Sequence, residues 1–308
     1  MLDVRRLRVL REVATQGSFS AAAEALNFTQ SAVSQHIAAL ERESGAKLVE
    51  RGSRGVRLTD AGSALVAHTD VILARIQCAE DELAAIAGLR GGRLRLACFQ
   101  SAGSTLVPRA VAEFHGRHPD VELGMVEAEP DDAGARLKSG EIDLALIYDF
   151  EPIAGMLDTD LELTPLVDDS YDVILPKGHP LAERRKLKLA DLADEPWIAS
   201  TDACGCRQIT EAACRDAGFE PRVAFEADET LAAQALVAAG VGVTLLPRLA
   251  LATVHPSVVA RSLTGAPKRR VWAARMAEGY RSPASEAMLQ ILRDVAEEFR
   301  ETPLELAS

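Results

Sequence analysis

The run from Ser18 to Leu40, SFSAAAEALNFTQSAVSQHIAAL, constrains this chain more than any other stretch. It reads as a short helix, a polar break at Asn27-Phe28-Thr29 and a second helix. Ser18 or Ser20 is placed to cap the first helix and Thr29 the second, where the leading backbone N–H groups have no partner inside the helix. In the second helix Val33, Ile37 and Leu40 recur four and three apart and share one face. The opposite face carries Gln30, Ser31, Ser34, Gln35 and Ala38. Short polar side chains near a helix start suit the major groove, because Gln pairs with the N6/N7 edge of adenine and Ser reaches base edges or phosphates. Small residues also let two helices approach closely, as a helix-turn-helix requires. An alanine-rich helical hairpin inside a core would share the pattern, so the flanks must decide.

Upstream, residues 3–16 predict a helix with Leu7, Val9, Leu10 and Val13 apolar and four arginines around them, ended by Gly17. Downstream, Gly45 stops the second helix. Leu48-Val49 and Val56-Leu58 then suit two short strands about the turn Gly52-Ser53-Arg54-Gly55. Arg51, Arg54 and Arg57 lie on or beside this wing, where they would meet phosphates or the minor groove; a solvated basic hairpin is the plain alternative. From Thr59 to about Leu89, Leu65, Thr69, Ile72, Ile76, Ala79, Leu83 and Ile86 alternate four and three apart. About three heptads favour a helix that pairs with its own copy, against packing on its own domain. Two copies would read two half-sites at a spacing fixed by symmetry. Gly88, Gly91 and Gly92 mark a hinge.

From Arg93 strands alternate with helices: strand Leu94–Cys98, a helix from Ser101 to about Arg117, strand Val121–Val126, a helix near Asp131–Ser139 and strand Asp143–Ile147. That order implies an α/β domain with a largely parallel sheet. Tyr171–Leu175, Val223–Phe225 and Val241–Leu246 suggest a second such unit, and Met288, Leu292, Val295 and Phe299 share one face of a last helix.

The net charge of −12 is unevenly spread. Residues 1–60 hold nine Lys/Arg against seven Asp/Glu, net +2, and the remainder 25 against 39, net −14. A mildly basic module joined to an acidic one fits the asymmetry. Arginines interrupt the N-terminal MLDVRRLRVLREV, and no apolar run reaches membrane-spanning length, so no signal peptide is expected, and a cytoplasmic protein with no membrane partner is. Five cysteines, an odd count, argue against a disulfide framework. The six histidines form neither a metal spacing nor a triad, and no phosphate-binding glycine loop is present, so no enzyme is expected. A solute-binding or redox-responsive receptor without DNA specificity would suit residues 93–300 but leaves residues 1–89 unexplained.

Over nearly its whole length the chain resembles the LysR-type transcriptional regulators. The match is most specific from Phe19 through Leu26, Gln30-Ser31-Ala32-Val33-Ser34, Ile37, Leu40-Glu41, Gly45, Leu48, Arg51 and Leu58-Thr59-Asp60-Ala61-Gly62. Further landmarks are Leu106-Val107-Pro108, Gly140–Leu144, His179-Pro180-Leu181 and Gly240–Val243. The resemblance implies a winged helix-turn-helix at 1–60, a dimerising helix and hinge at 61–92, and a periplasmic-binding-protein-like effector domain at 93–303. Its two α/β subdomains, 93–164 with 267–303 and 165–266, would be joined by crossings near Leu163–Val167 and Leu263–Lys268. It further implies double-stranded DNA, a small-molecule effector, a homodimer or homotetramer and RNA polymerase as partners, with no cofactor.

DNA contacts are expected from Ser18, Thr29, Gln30, Ser31, Ser34, Gln35, Arg51, Arg54 and Arg57. The resemblance implies a ligand in the cleft between the subdomains, in keeping with the gathering of ligands beyond the carboxyl ends of strands in open α/β sheets; by motif position it implies effector contacts from Ser101, Ser104, Glu129, Tyr148, Asp149, Ser200, Thr201 and Asp228, with a helix cap or turn residue as the plain role for each. The acidic residues Glu129, Asp149, Asp202 and Asp228 lead us to expect a cationic or zwitterionic effector. Cys204-Gly205-Cys206, with Cys214 eight residues on, lies near the place where peroxide-sensing members of the family carry their redox pair. A redox or metal role is weighed against small buried residues beside the cleft.

Overall fold

A computed structural model describes residues 1–52, 55–86, 92–150, 160–201, 205–278 and 281–301. Arg54, Gly88, Gly91, Asp202 and Cys204 lie outside the described residues, as does the side chain of Arg51. The chain divides into two compact units. The first holds α1 (Val4–Gln16), α2 (Phe19–Ala25), α3 (Gln30–Ser44), β1 (Val49–Gly52), β2 (Gly55–Leu58) and α4 (Asp60–Ile86).

Local chemistry sets each boundary of this unit. The Asp3 carboxylate accepts from the backbone N–H groups of Arg5 and Arg6 and caps α1, and Gly17, at φ 61°, ends it in the left-handed region where glycine carries no steric penalty. Ser18, rather than Ser20, caps α2 through the Ala21 N–H, and Thr29 caps α3 through the Ala32 N–H at 3.2 Å. Asn27, at φ 54°, turns the chain between them. Val33, Ile37 and Leu40 of α3 are buried against Leu7, Leu10 and Val13 of α1 and Phe19, Ala22 and Ala23 of α2. Each large side chain so buried contributes about 1.5–3 kcal/mol. The strands β1 and β2 pair antiparallel, Val49 opposite Leu58 and Glu50 opposite Arg57. The apolar stripe of α4 is divided: Leu65 and Ile72 pack on this core, and Leu83 is 66% exposed.

The second unit is built on the sheets from β3 onward. Its elements are β3 (Arg93–Cys98), α5 (Gln100–Gly103), α6 (Leu106–Arg117), β4 (Glu122–Glu127), α7 (Pro130–Ser139), whose residues from Arg136 on group with the first unit, β5 (Leu144–Phe150) and β6 (Leu161–Pro176). They continue with β7 (Lys186–Leu187), β8 (Pro196–Ala199), α8 (Gly205–Asp216), β9 (Arg222–Glu226), α9 (Thr230–Ala238), β10 (Thr244–Pro247), β11 (Val258–Leu263), β12 (Lys268–Met276) and α10 (Pro283–Glu301). One lobe centres on β4-β3-β5, mutually parallel, with β12 antiparallel to β5. In the other lobe β10 and β11 run antiparallel to β6, while β8 and β9 form a separate parallel pair.

The long strand β6 serves both lobes. Its residues Leu161–Ser170 pair with β12, and Tyr171–Pro176 pair with β10 and β11. The first expected crossing, Leu163–Val167, therefore lies inside a continuous strand, and the second falls between β11 and the start of β12. The sheet is mixed rather than largely parallel, because the strands that cross between lobes run against their neighbours. The expected helix from Ser101 to Arg117 is also interrupted. The hydroxyls of Ser104 and Thr105 both donate back to the Ser101 carbonyl, at 3.1 and 2.6 Å, and Pro108 has no N–H to continue the ladder. Each lobe has its own core, one around Leu96, Phe114, Leu146 and Leu292, the other around Tyr171, Val173, Trp197 and Leu245.

Candidate functional site

Two surfaces collect the residues singled out in the sequence. The first is the outer face of α3. Gln30, Ser31 and Gln35 are exposed, Ser34 is half-buried, and Thr29 sits at the start, its hydroxyl 3.0 Å from that of Ser31. Ser18 is engaged in capping α2. Arg57 is exposed on β2. The wing is anchored to α3 by Glu41, whose carboxylate accepts from the Leu48 and Val49 N–H groups and from Lys47. Burial works against its charge, but these donors outweigh burial and hold the carboxyl below its ordinary range. The result is a polar helix face beside a hairpin that carries the exposed Arg57, with alanine at Ala38 admitting close approach.

The second surface is a cavity of about 290 Å³ between the two lobes of the second unit. It opens where β3, β4, β8 and β9 end. Ser101, Glu129, Tyr148, Ser200, Thr201 and Asp228 all line it. The Tyr148 hydroxyl donates to Glu129 at 2.8 Å. Thr201 donates its N–H and its hydroxyl to Asp228, at 2.8 and 2.9 Å, and so ties the end of β8 to the end of β9. Gln100 accepts from the Thr230 hydroxyl at 3.2 Å, a link from one lobe to the other.

Two expected residues lie elsewhere. Ser104 is turned back onto the Ser101 carbonyl. Asp149 follows Tyr148 on β5 and so points to the opposite face of the strand, where it accepts from the Trp272 indole at 3.0 Å. That face borders a larger groove, about 780 Å³, which also carries Phe150, Lys188, Asp216 and Arg270. Size favours the groove, but the smaller cavity has the strand ends and the convergent polar groups that mark ligand sites in α/β folds.

Arg269 is the residue that sequence reasoning missed. It stands in the run Lys268-Arg269-Arg270, which resembles a solvated charge cluster, yet it is 2% exposed. Its guanidinium donates to Asp169 at 2.9 Å and to the Ser101 hydroxyl at 2.5 Å. It lies 4.7 Å from the ring centroids of Phe99 and Tyr148. Burial disfavours its charge, and its partners more than restore it, so its pKa is raised. The signal was the pair Asp168-Asp169, which the strand register sets opposite Arg270 and Arg269; spacing alone does not reveal a register.

The cysteines whose side chains are described, Cys98, Cys206 and Cys214, separate into two kinds. Cys98 and Cys214 are buried, and burial pushes their thiols up to about 11 and about 12. Cys206 is half-buried at the cavity, 3.9 Å from the Tyr148 hydroxyl and 3.7 Å from that of Tyr171. Among the described residues no group of three His, Cys, Asp or Glu is placed to hold a metal ion, and no helix is long and apolar enough to cross a membrane.

Comparison with known proteins completes the picture. Residues 4–63 match the bacterial regulatory helix-turn-helix protein, lysR family, and residues 87–297 match the LysR substrate binding domain. A relative from Synechococcus elongatus, the probable HTH-type transcriptional regulator LrrA, is 35% identical over 98% of this chain and 100% of its own. The HTH-type transcriptional regulator ShiR of Corynebacterium glutamicum is 33% identical over 79% of this chain and 82% of its own. Among solved structures, CbnR, a LysR family transcriptional regulator, overlays with a TM-score of 0.72 at 22% identity, covering 96% of this chain and 99% of that one. Full-length CbnR complexed with its target DNA gives 0.73 at 23% identity, over 96% and 100%.

Proposed function

The chain belongs to the LysR family of transcriptional regulators, and from that premise we propose how it reads DNA and how a ligand controls it. It is a DNA-binding regulator with an effector-binding domain, and the finer assignment follows from the side chains. The observation that carries it is the outer face of α3, capped by Thr29 and locked from behind by Val33, Ile37 and Leu40, which leaves Gln30, Ser31 and Gln35 exposed. This helix enters the major groove. Gln30 and Ser34 read base edges, and Arg57 with Arg51 and Arg54 meets phosphates or the minor groove. The chain acts as a homodimer, or a dimer of such dimers, joined through α4, whose apolar stripe extends to the exposed Leu83.

A small molecule enters the cavity and changes the angle between the lobes about β6 and β12. It biases assemblies that differ in spacing or DNA bend, and only by its difference in affinity for them. Contact with RNA polymerase, a cytoplasmic location, the absence of a membrane partner and of a cofactor, and the absence of enzymatic activity belong to the same reading.

The test is selection of bound fragments from the source genome, followed by mobility shift at two salt concentrations. Short interrupted palindromes, bound more tightly than scrambled DNA, are expected. Salt-sensitive binding with no sequence preference would refute the base-reading role of α3.

A further inference from the structure

We infer that the cavity selects a small organic cation, bearing a primary ammonium or a guanidinium, and rejects molecules that carry only carboxylates. The inference rests on the reading above for the existence of an effector site, namely a cavity within a domain matched to a substrate-binding family. It adds the chemistry of what that site admits.

The argument begins with the one cation among the described lining residues, Arg269. In a cleft meant for a carboxylate, such an arginine would present a free edge to the ligand. Here the guanidinium is already neutralised by Asp169, itself 2% exposed, and donates to Ser101. The faces of Phe99 and Tyr148 flank it. Its positive charge is engaged before any ligand arrives, and a carboxylate seeking it would have to compete with a buried ion pair. The cavity mouth has the opposite character. Glu127, Glu129, Asp228 and Glu229 line it, and all four are exposed. An anion must pass four like charges, whereas a cation is drawn toward them.

Within that rim Glu129 is the docking group. The Tyr148 hydroxyl, donating at 2.8 Å, holds the carboxylate at the cavity. Tyr148 is buried in the lobe core, so the orientation is fixed by packing and not by solvent. Asp228 is held by two hydrogen bonds from Thr201 and contributes its field more than its lone pairs. An ammonium beside Glu129 would make a charge-assisted hydrogen bond to a carboxylate that Tyr148 already orients, while Thr210, Thr230 and Ser200 offer neutral partners for the remainder of the molecule.

Calorimetry on the full chain at low salt tests this, with agmatine and putrescine as cationic probes and benzoate and succinate as anionic ones. Saturable binding of an amine is expected, with no binding of either acid. Glu129→Gln, an exposed and nearly isosteric change, should weaken the amine roughly ten- to hundredfold, the equivalent of one charge-assisted hydrogen bond. Tyr148→Phe should weaken it by a smaller factor, since it loosens Glu129 without removing the charge. Binding of benzoate or succinate with the amines silent overturns the assignment. So does amine binding that Glu129→Gln leaves unchanged, which would mean diffuse attraction to an acidic surface, and so does silence from all four probes. Mobility shifts on operator DNA, run on the same preparations, report the regulator reading separately: selective DNA binding with no amine binding sinks the cation and leaves the regulator standing.

Discussion

Arg269 and Arg270 are neighbours on one strand, and the contrast between them shows what burial does to an ion pair. Each faces an aspartate across the strand register, Arg269 opposite Asp169 and Arg270 opposite Asp168. The first pair is sealed, with side chains 2% and 0% exposed, and the second is open, at 49% and 63%. Removing one partner of a sealed pair leaves an uncompensated charge and costs about 3–5 kcal/mol, whereas an open pair contributes about 0–1 kcal/mol. Asp169→Asn should therefore lower the thermal midpoint of the effector domain by several degrees, and Asp168→Asn should barely move it. Equal shifts in differential scanning calorimetry would refute the distinction. The thiols obey the same logic. Cys98 and Cys214, buried and raised to about 11 and about 12, should resist iodoacetamide in the folded chain at neutral pH, while Cys206 reacts. Mass spectrometry of the alkylated peptides reads this directly. Gly62 is constrained by space instead: a Cβ there would lie 2.0 Å from the Leu48 carbonyl oxygen. Gly62→Ala should destabilise the DNA-binding unit by about 1–3 kcal/mol, seen as a lower urea midpoint.

At the scale of elements, the wing depends on one carboxylate. Glu41, in the last turns of α3, accepts from Leu48 and Val49 at the start of β1. Its pKa is depressed in the folded state, so the stability it supplies is complete above the unfolded value, about 4.3, and is lost as the pH falls through the lower folded value. The stability difference between the native chain and Glu41→Ala should thus be constant at neutral pH and shrink below about pH 4. A difference that instead grows in acid would reverse the assigned sign. Leu40-Glu41 stands among the family landmarks, but the anchoring role was not legible, because a glutamate late in a helix reads as solvated. The caps at Ser18 and Thr29, the glycine stops at Gly17 and Gly45, and the apolar face Val33-Ile37-Leu40 were legible, since each depends on residues close in the chain. Most of the cavity was reached through the family resemblance, which sets Ser101, Glu129, Ser200, Thr201 and Asp228 after strand ends by motif position. Asp149 lines the neighbouring groove instead, because adjacent strand residues face opposite sides, and Arg269 escaped notice because its partner lies 100 positions away in sequence. Contacts set by strand register need the fold before they can be read.

At the scale of the whole molecule, a protein of net charge −12 must approach a polyanion. The excess is confined to residues beyond 60, net −14, while residues 1–60 carry +2. Such a weakly basic module carries little net charge to set against the phosphates, so on the proposed reading one copy binds weakly. In the proposed dimer, selective binding comes from two copies acting together, with linked half-sites raising the effective concentration of the second helix. That pairing has a geometric consequence. Recognition helices fixed by a two-fold axis fit half-sites one helical turn apart, about 10 base pairs, or a multiple of it. Inserting about five base pairs between half-sites turns the second to the far side of the duplex and should abolish selective binding, whereas inserting about ten returns it to the same side and should restore a large part. Leu83→Asp, on the exposed stretch of α4, should mimic the half-turn insertion by separating the copies, with a fall in mass on light scattering. Arg57→Ala should behave differently, weakening all sequences alike and reducing the salt slope by about one. If the half-turn and full-turn insertions weaken binding equally, the two copies are not held in fixed register, and the low charge of the module must be offset by some other contact with the duplex.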